Sequence, residues 1–137
     1  MIFADTSFWV AARLRRDKRH QEAIELLKEY RQQTLLTTNH VRGETWTFLR
    51  RRDNHKRAVE YLDMLDQSRR IRVEPVSERL EEEALTWLRR HNEREYSFVD
   101  ATSFALMRSL RIREALAFDG DFTAAGFIEL RSGADPG

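Results

Sequence analysis

Short apolar runs that recur between stretches of helical periodicity constrain this chain most tightly. IFA at 2–4, LLTT at 35–38, IRVEPV at 71–76, EALAF at 114–118 and FIEL at 127–130 read as strands. Between them, apolar residues recur three and four apart, as in Ala23, Ile24, Leu27 and Tyr30, or Leu80, Ala84, Leu85 and Leu88. This spacing predicts helices over about Ser7–Leu14, His20–Tyr30, Asn39–Arg52, His55–Gln67, Ser77–His91 and Ser97–Leu110. Strands separated by helices return to a sheet in the same direction, so the predicted class is α/β, a parallel sheet covered on both faces. Pro75 lacks an N–H for a ladder and places the third strand at a sheet edge. The order of the strands is not legible from this pattern.

A chain of 137 residues with 41% hydrophobic content is one domain able to bury a core. Without cysteine it can form neither disulfides nor thiolate metal sites. The start lacks the basic segment and apolar run of a signal peptide, and no apolar stretch is long enough to span a bilayer. The expectation is therefore a cytoplasmic protein with no membrane partner. Net charge is only +1, yet all but Lys18, Lys28 and Lys56 of the 24 basic residues are arginine. They bunch at 13–19, 50–52, 69–72 and 89–90. Arginine forks fit phosphate oxygens, although Arg–Glu pairing on solvated helix faces accounts for such runs equally well. Trp9, Trp46 and Phe8 are candidates for stacking a base, with the helical core as the competing destination.

Four acids stand apart from the solvated faces. Asp5 ends the first strand and Asp119 the fourth, at the edge where parallel sheets place their ligand crevice. Glu44 falls in the first two turns of its helix and shares an apolar stripe with Val41 and Phe48. Asp100 follows Ser97 by three, the spacing of a capping box, and shares a face with Phe104 and Met107. Each acid alone has a structural explanation as a cap, a turn residue or a margin group. Together they fall on one edge of the expected sheet, where uncompensated carboxylates repel and desolvate one another. A hard divalent cation removes that conflict. Oxygen-only ligands favour magnesium, with manganese as substitute, over zinc.

These motifs resemble a PIN-domain ribonuclease of the bacterial toxin type, the VapC-like family. The matching pieces are the apolar start running into Asp5-Thr6-Ser7, Glu44 after the second strand, Ser97-Phe98-Val99-Asp100-Ala101, and Ala117-Phe118-Asp119 with Phe122 following. The resemblance implies a three-layer sandwich with a five-stranded parallel sheet flanked by helices, a single PIN-like nuclease domain over 1–132, and a disordered tail over 133–137. It implies that Asp5, Glu44, Asp100 and Asp119 are catalytic and hold magnesium, with Ser7 orienting Asp5 or a bound water. Asp121 is a second acid that shares or replaces the role of Asp119, although Asp119 fits the family spacing to Phe122 better. The implied activity is magnesium-dependent endoribonucleolysis by a toxin, with an RNA substrate, a cognate antitoxin and a homodimer.

Other phosphoryl-transfer classes fit less well. A haloacid-dehalogenase site requires a second Asp where Ser7 stands, and a receiver domain requires a lysine near its last strand. No glycine-rich nucleotide loop occurs. The remaining alternative is a non-catalytic PIN-like adaptor for RNA or protein, which has little use for four converging acids.

Overall fold

In a computed structural model, residues 1–133 are described. The chain runs β1 (Ile2–Ala4), α1 (Thr6–Arg13), α2 (His20–Glu29), β2 (Leu35–Thr38), α3 (Asn39–Arg52), α4 (His55–Gln67), β3 (Ile71–Glu74), α5 (Glu78–Arg90), α6 (Phe98–Leu110), β4 (Glu114–Leu116), α7 (Asp121–Ala124) and β5 (Ile128–Glu129). The expected tail at 133–137 lies, apart from Gly133, outside the described residues.

All neighbouring strands pair in parallel, in the order β3-β2-β1-β4-β5. This is the α/β sandwich expected, a five-stranded parallel sheet flanked by helices, and β3 with its following Pro75 is indeed an edge strand. Central strands covered on both faces are mostly apolar, and a polar residue there must find a partner, as the Thr37 and Thr38 hydroxyls do. Accordingly every residue of β1 and β2 is buried, whereas β3 and β5 are partly open. From β1 the chain first builds outward through β2 and β3, then crosses back to add β4 and β5 on the other side. The topological switch point therefore lies between β1 and β4, whose C-terminal ends open a crevice. The Asp5 N–H donates to the Leu116 carbonyl at 3.0 Å and stitches those two ends together.

Helices begin where side chains can satisfy their first N–H groups. Thr38 caps α3 by accepting from Val41 N, Asn54 caps α4 from Arg57 N, and Ser77 caps α5 from Leu80 N. Asp5 caps α1 from Ser7 N. Ser97 and Asp100 form a full reciprocal capping box at the start of α6. The short α7 was absent from the sequence reading, where Asp119-Gly120 signals a turn. Both are present: Gly120 takes the left-handed conformation, φ 83°, and α7 starts directly after it.

Aromatic packing binds α5, α6 and α7 to the sheet. Phe104 of α6 contacts Trp87, Tyr96, Phe122 and Phe127 at ring separations of 4.9 to 5.8 Å. Phe122 in turn stacks on Phe3 of β1 at 5.9 Å. Because Phe104 follows Asp100 by one helical turn, this cluster fixes the height of the acid at the sheet edge. Phe104→Ala is expected to cost about 3–5 kcal/mol, read as a lower urea midpoint with an unchanged m-value.

Candidate active site

Three of the four expected acids meet at the crevice. Asp5, Asp100 and Asp119 each offer a carboxylate oxygen, and these oxygens lie within 4.8 Å of one another. Asp5 and Asp100 are buried, with 2% and 7% exposure, while Asp119 sits open at the rim. Different elements deliver them: the end of β1, the first turn of α6, and the turn after β4.

Protein donors hold one oxygen of each carboxylate. Asp5 Oδ2 accepts from the Ser7 hydroxyl at 2.9 Å and from Ser7 N at 3.2 Å. The same hydroxyl accepts from Phe118 N at 3.0 Å, so Ser7 ties Asp5 to the segment that carries Asp119. Asp100 Oδ2 accepts from Ser97 N at 3.1 Å, and Asp119 Oδ1 accepts from Asp121 N at 3.1 Å. Among the described residues the remaining oxygens have no protein donor, and no Lys, Arg or His pairs with any of the three. Two unit charges at this separation repel by about 3–4 kcal/mol at an effective dielectric of about 20. Three such pairs approach the whole stability of a small domain. The protonation behaviour follows. Burial, then the Asp119 and Asp100 charges, push the Asp5 carboxyl well above its ordinary value. Asp100 is pushed up to about 7, chiefly by loss of water and then by Asp121 and Asp119, against the opposing Ser97 hydrogen bonds. Although its residue surface is open, Asp119 is raised to about 6 by desolvation of its inward carboxyl, then by the Asp121 and Glu129 charges. This donor set suits a hard divalent cation: oxygen atoms only, convergent, and among the described residues not neutralised by a salt bridge.

The chain matches the PIN domain family over residues 2–128. It is a PIN-domain protein. Within the PIN family it is 54% identical over 131 residues to the 23S rRNA-specific endonuclease VapC20 of Mycobacterium tuberculosis, in strains CDC 1551/Oshkosh and H37Rv alike. That alignment covers 96% of this chain and 98% of the relative. The crystal structure of Mycobacterium tuberculosis VapC20, described as a sarcin–ricin loop cleaving toxin, superposes with a TM-score of 0.89 at 53% identity. It covers 96% of this chain and 99% of its own. The resemblance read from the sequence is borne out: this is a VapC-type PIN domain, an endonuclease by family.

Around the acids the PIN domain forms a groove of about 490 Å³. Glu44 lines it, half-buried, but lies outside the three-acid cluster. Its expected apolar stripe needs correction. Val41, Thr45 and Leu49, spaced by four, face the core, whereas Glu44, Phe48 and Arg52 form the adjacent row along the groove. Phe48 misled the reading because it is exposed, with the Arg52 guanidinium 5.0 Å above its ring. Asp121 is likewise outside the cluster. Its carboxylate pairs with Arg94 at 2.5 Å, and Arg94 also donates to the Asp119 carbonyl at 2.9 Å. Both acids of the Asp-Gly-Asp turn line the groove, Asp119 within the three-acid cluster and Asp121 held by Arg94.

Phe8 and Trp9 are fully buried and offer no base a surface. The aromatic rings on the groove are Phe48 and Phe118, which the sequence reading missed. Phe118 lies between the guanidiniums of Arg19 and Arg131, each 5.2 Å from its ring. Its position beside Asp119 in ALAFDGDF was the available signal. Lys18, Arg19 and Arg52 complete the groove's basic side.

Raised carboxyl pKa values set the sign of the ion-free protein's pH dependence. Below about pH 4 both folded and unfolded chains carry these groups protonated. As pH rises toward 7 the unfolded chain ionises freely while the fold retains protons, so stability falls. In chelator, the melting temperature should therefore decline between about pH 4 and 7 by roughly 2–6 °C for each kcal/mol lost. Asp100→Asn should flatten that decline, and millimolar magnesium should reverse it in the wild type; equal slopes in both proteins would contradict the account.

Proposed function

We propose that this chain is a divalent-metal-dependent endoribonuclease and the toxin of a toxin–antitoxin pair. One observation carries the reading: three carboxylates from separate segments share one crevice, and among the described residues none of them forms a salt bridge. A domain that served only as an adaptor has no reason to sustain such repulsion. Magnesium, with manganese as substitute, is the ion this donor set favours, because every ligand is a hard oxygen.

Asp5 and Asp100 would hold the ion through the carboxylate oxygens that Ser7 and Ser97 leave free, with Asp119 as the third ligand. When bound, the ion lowers the pKa of a water and neutralises charge on the phosphate. Glu44, which lines the same groove outside the trio, would act through water and take a proton from the attacking molecule. Ser7 keeps the inner Asp5 oxygen occupied, so that the outer one stays oriented toward the ion. Asp121, committed to Arg94, stays out of the ligand set. Lys18, Arg19 and Arg52 meet phosphate oxygens that the acids alone would repel.

The relative's described action on 23S rRNA, at 54% identity over nearly the whole chain, supports a ribosomal RNA loop as substrate. That setting implies a cytoplasmic location, and the toxin reading implies an antitoxin that blocks the groove and a homodimeric toxin.

Purified protein incubated with total RNA and magnesium should yield discrete new 5′ ends mapped by primer extension. Asp5→Asn should lower cleavage by about 100-fold or more, while Ser7→Ala should lower it by about 10–100-fold, each with unchanged far-UV CD. Asp121→Asn should keep its cleavage. Undiminished cleavage by the Asp5 variant would overturn the assignment.

A further inference from the structure

Two basic segments far apart in sequence come together beside the groove. Residues 13–19 and 50–57 hold ten of the protein's 24 Lys and Arg residues against only Asp17 and Asp53, although the whole chain nets +1. The Arg16 guanidinium donates to the Arg52 carbonyl at the end of α3, joining the loop after α1 to the C-terminus of α3. A second hollow, about 240 Å³, opens at this junction, lined by Arg13, Arg15, Arg16, Asp53 and Arg57. Arg57 is engaged there by Asp53 and, along α4, by Glu60. Among the described residues, Arg13, Arg15 and Arg16 meet no carboxylate at all.

We propose that this hollow is an exosite for the sugar–phosphate backbone of the RNA beyond the scissile bond. It rests on the ribonuclease reading above and extends it from the cleaved bond to the flanking strand. Arg52 decides the direction. It lines the catalytic groove with its side chain and anchors Arg16 of the hollow with its carbonyl, so the two concavities adjoin through one residue. From Glu44 to Arg52 the helix α3 advances eight residues, about 12 Å, a span of a few nucleotides. A strand with its reactive phosphate at the acids and its next phosphates along Arg52 is delivered to Arg15 and Arg16. Exposed guanidiniums without carboxylate partners lose little by meeting phosphate, and their forks match its oxygens. The free charge is repaid by counterion release, which makes such contacts depend steeply on salt. A protein partner would need a dense run of acids to match this face; RNA supplies one charge per nucleotide by its covalent structure.

The triple variant Arg13→Gln/Arg15→Gln/Arg16→Gln tests the exosite, because none of these residues lines the groove or meets a carboxylate among the described residues. Two probes are compared in magnesium: a hairpin RNA with the cleaved loop and its stem, and a short oligonucleotide covering only the nucleotides around the cleavage site. For the hairpin, the slope of log Kd against log salt should fall by roughly two to three. Its KM should rise about 10–100-fold at little-changed kcat. The short oligonucleotide should be cleaved as by the wild type, and the variant's melting temperature should match. An unchanged hairpin slope and KM would overturn the exosite while the catalytic reading stood. So would loss of antitoxin binding alone with RNA binding intact. If the wild type cleaves neither RNA, the nuclease reading fails, and the salt slope still judges the exosite.

Discussion

Three carboxylates held within 4.8 Å of one another at the mouth of a parallel sheet are the constraint on which the rest of this structure depends. The fold makes their meeting unavoidable. β1 and β4 are neighbours, so the residues that follow them, Asp5 and Asp119, must emerge side by side at the switch point. The aromatic cluster around Phe104 then seats α6 so that its first turn delivers Asp100 to the same place. Helix N-termini at α1 and α6 offer partial positive charge to two of the acids. Burial and mutual repulsion outweigh that benefit, as the raised pKa values of all three carboxyls show. The polypeptide stores an electrostatic cost that only protons or a multivalent cation can remove.

Charge elsewhere in the molecule is arranged around that centre. A negative crevice repels the polyanion it is built to cut, and the basic face of residues 13–19 and 50–57 offsets this from one side. Near cancellation in the net charge conceals a strong separation of sign. Arginine also serves within the site: Arg94 engages the Asp121 carboxylate and leaves that of Asp119 to the three-acid cluster. Phe118 shows the same economy, with two guanidiniums flanking its ring, its N–H on Ser7 and Asp119 next in the chain.

Much of this was legible in the sequence where a residue's role is set by local spacing. The alternation of apolar runs and helices predicted the α/β class, Pro75 the edge strand, and Ser97 with Asp100 the capping box. Asp100 shows that a capping role and an inward-facing role coexist, since one carboxylate oxygen serves each. The failures share a physical cause, because they concern exposure that tertiary neighbours decide. Phe48 looked like core but carries Arg52 on its face, so the stripe drawn through Glu44 was rotated from the true one. Phe8 and Trp9 went to the core, the destination that competed with base stacking in the sequence. Strand order, which places the switch point, has no local signature. The junction of Arg16 with Arg52 joins residues 36 apart and could not be read from either segment alone.

Anomalous scattering from crystals grown with manganese tests the central claim most directly. A single strong peak bounded by the carboxylates of Asp5, Asp100 and Asp119, absent from crystals of the Asp5→Asn variant, is the result expected. Manganese bound only at other acids, with the three carboxylates still clustered and bare, would contradict it.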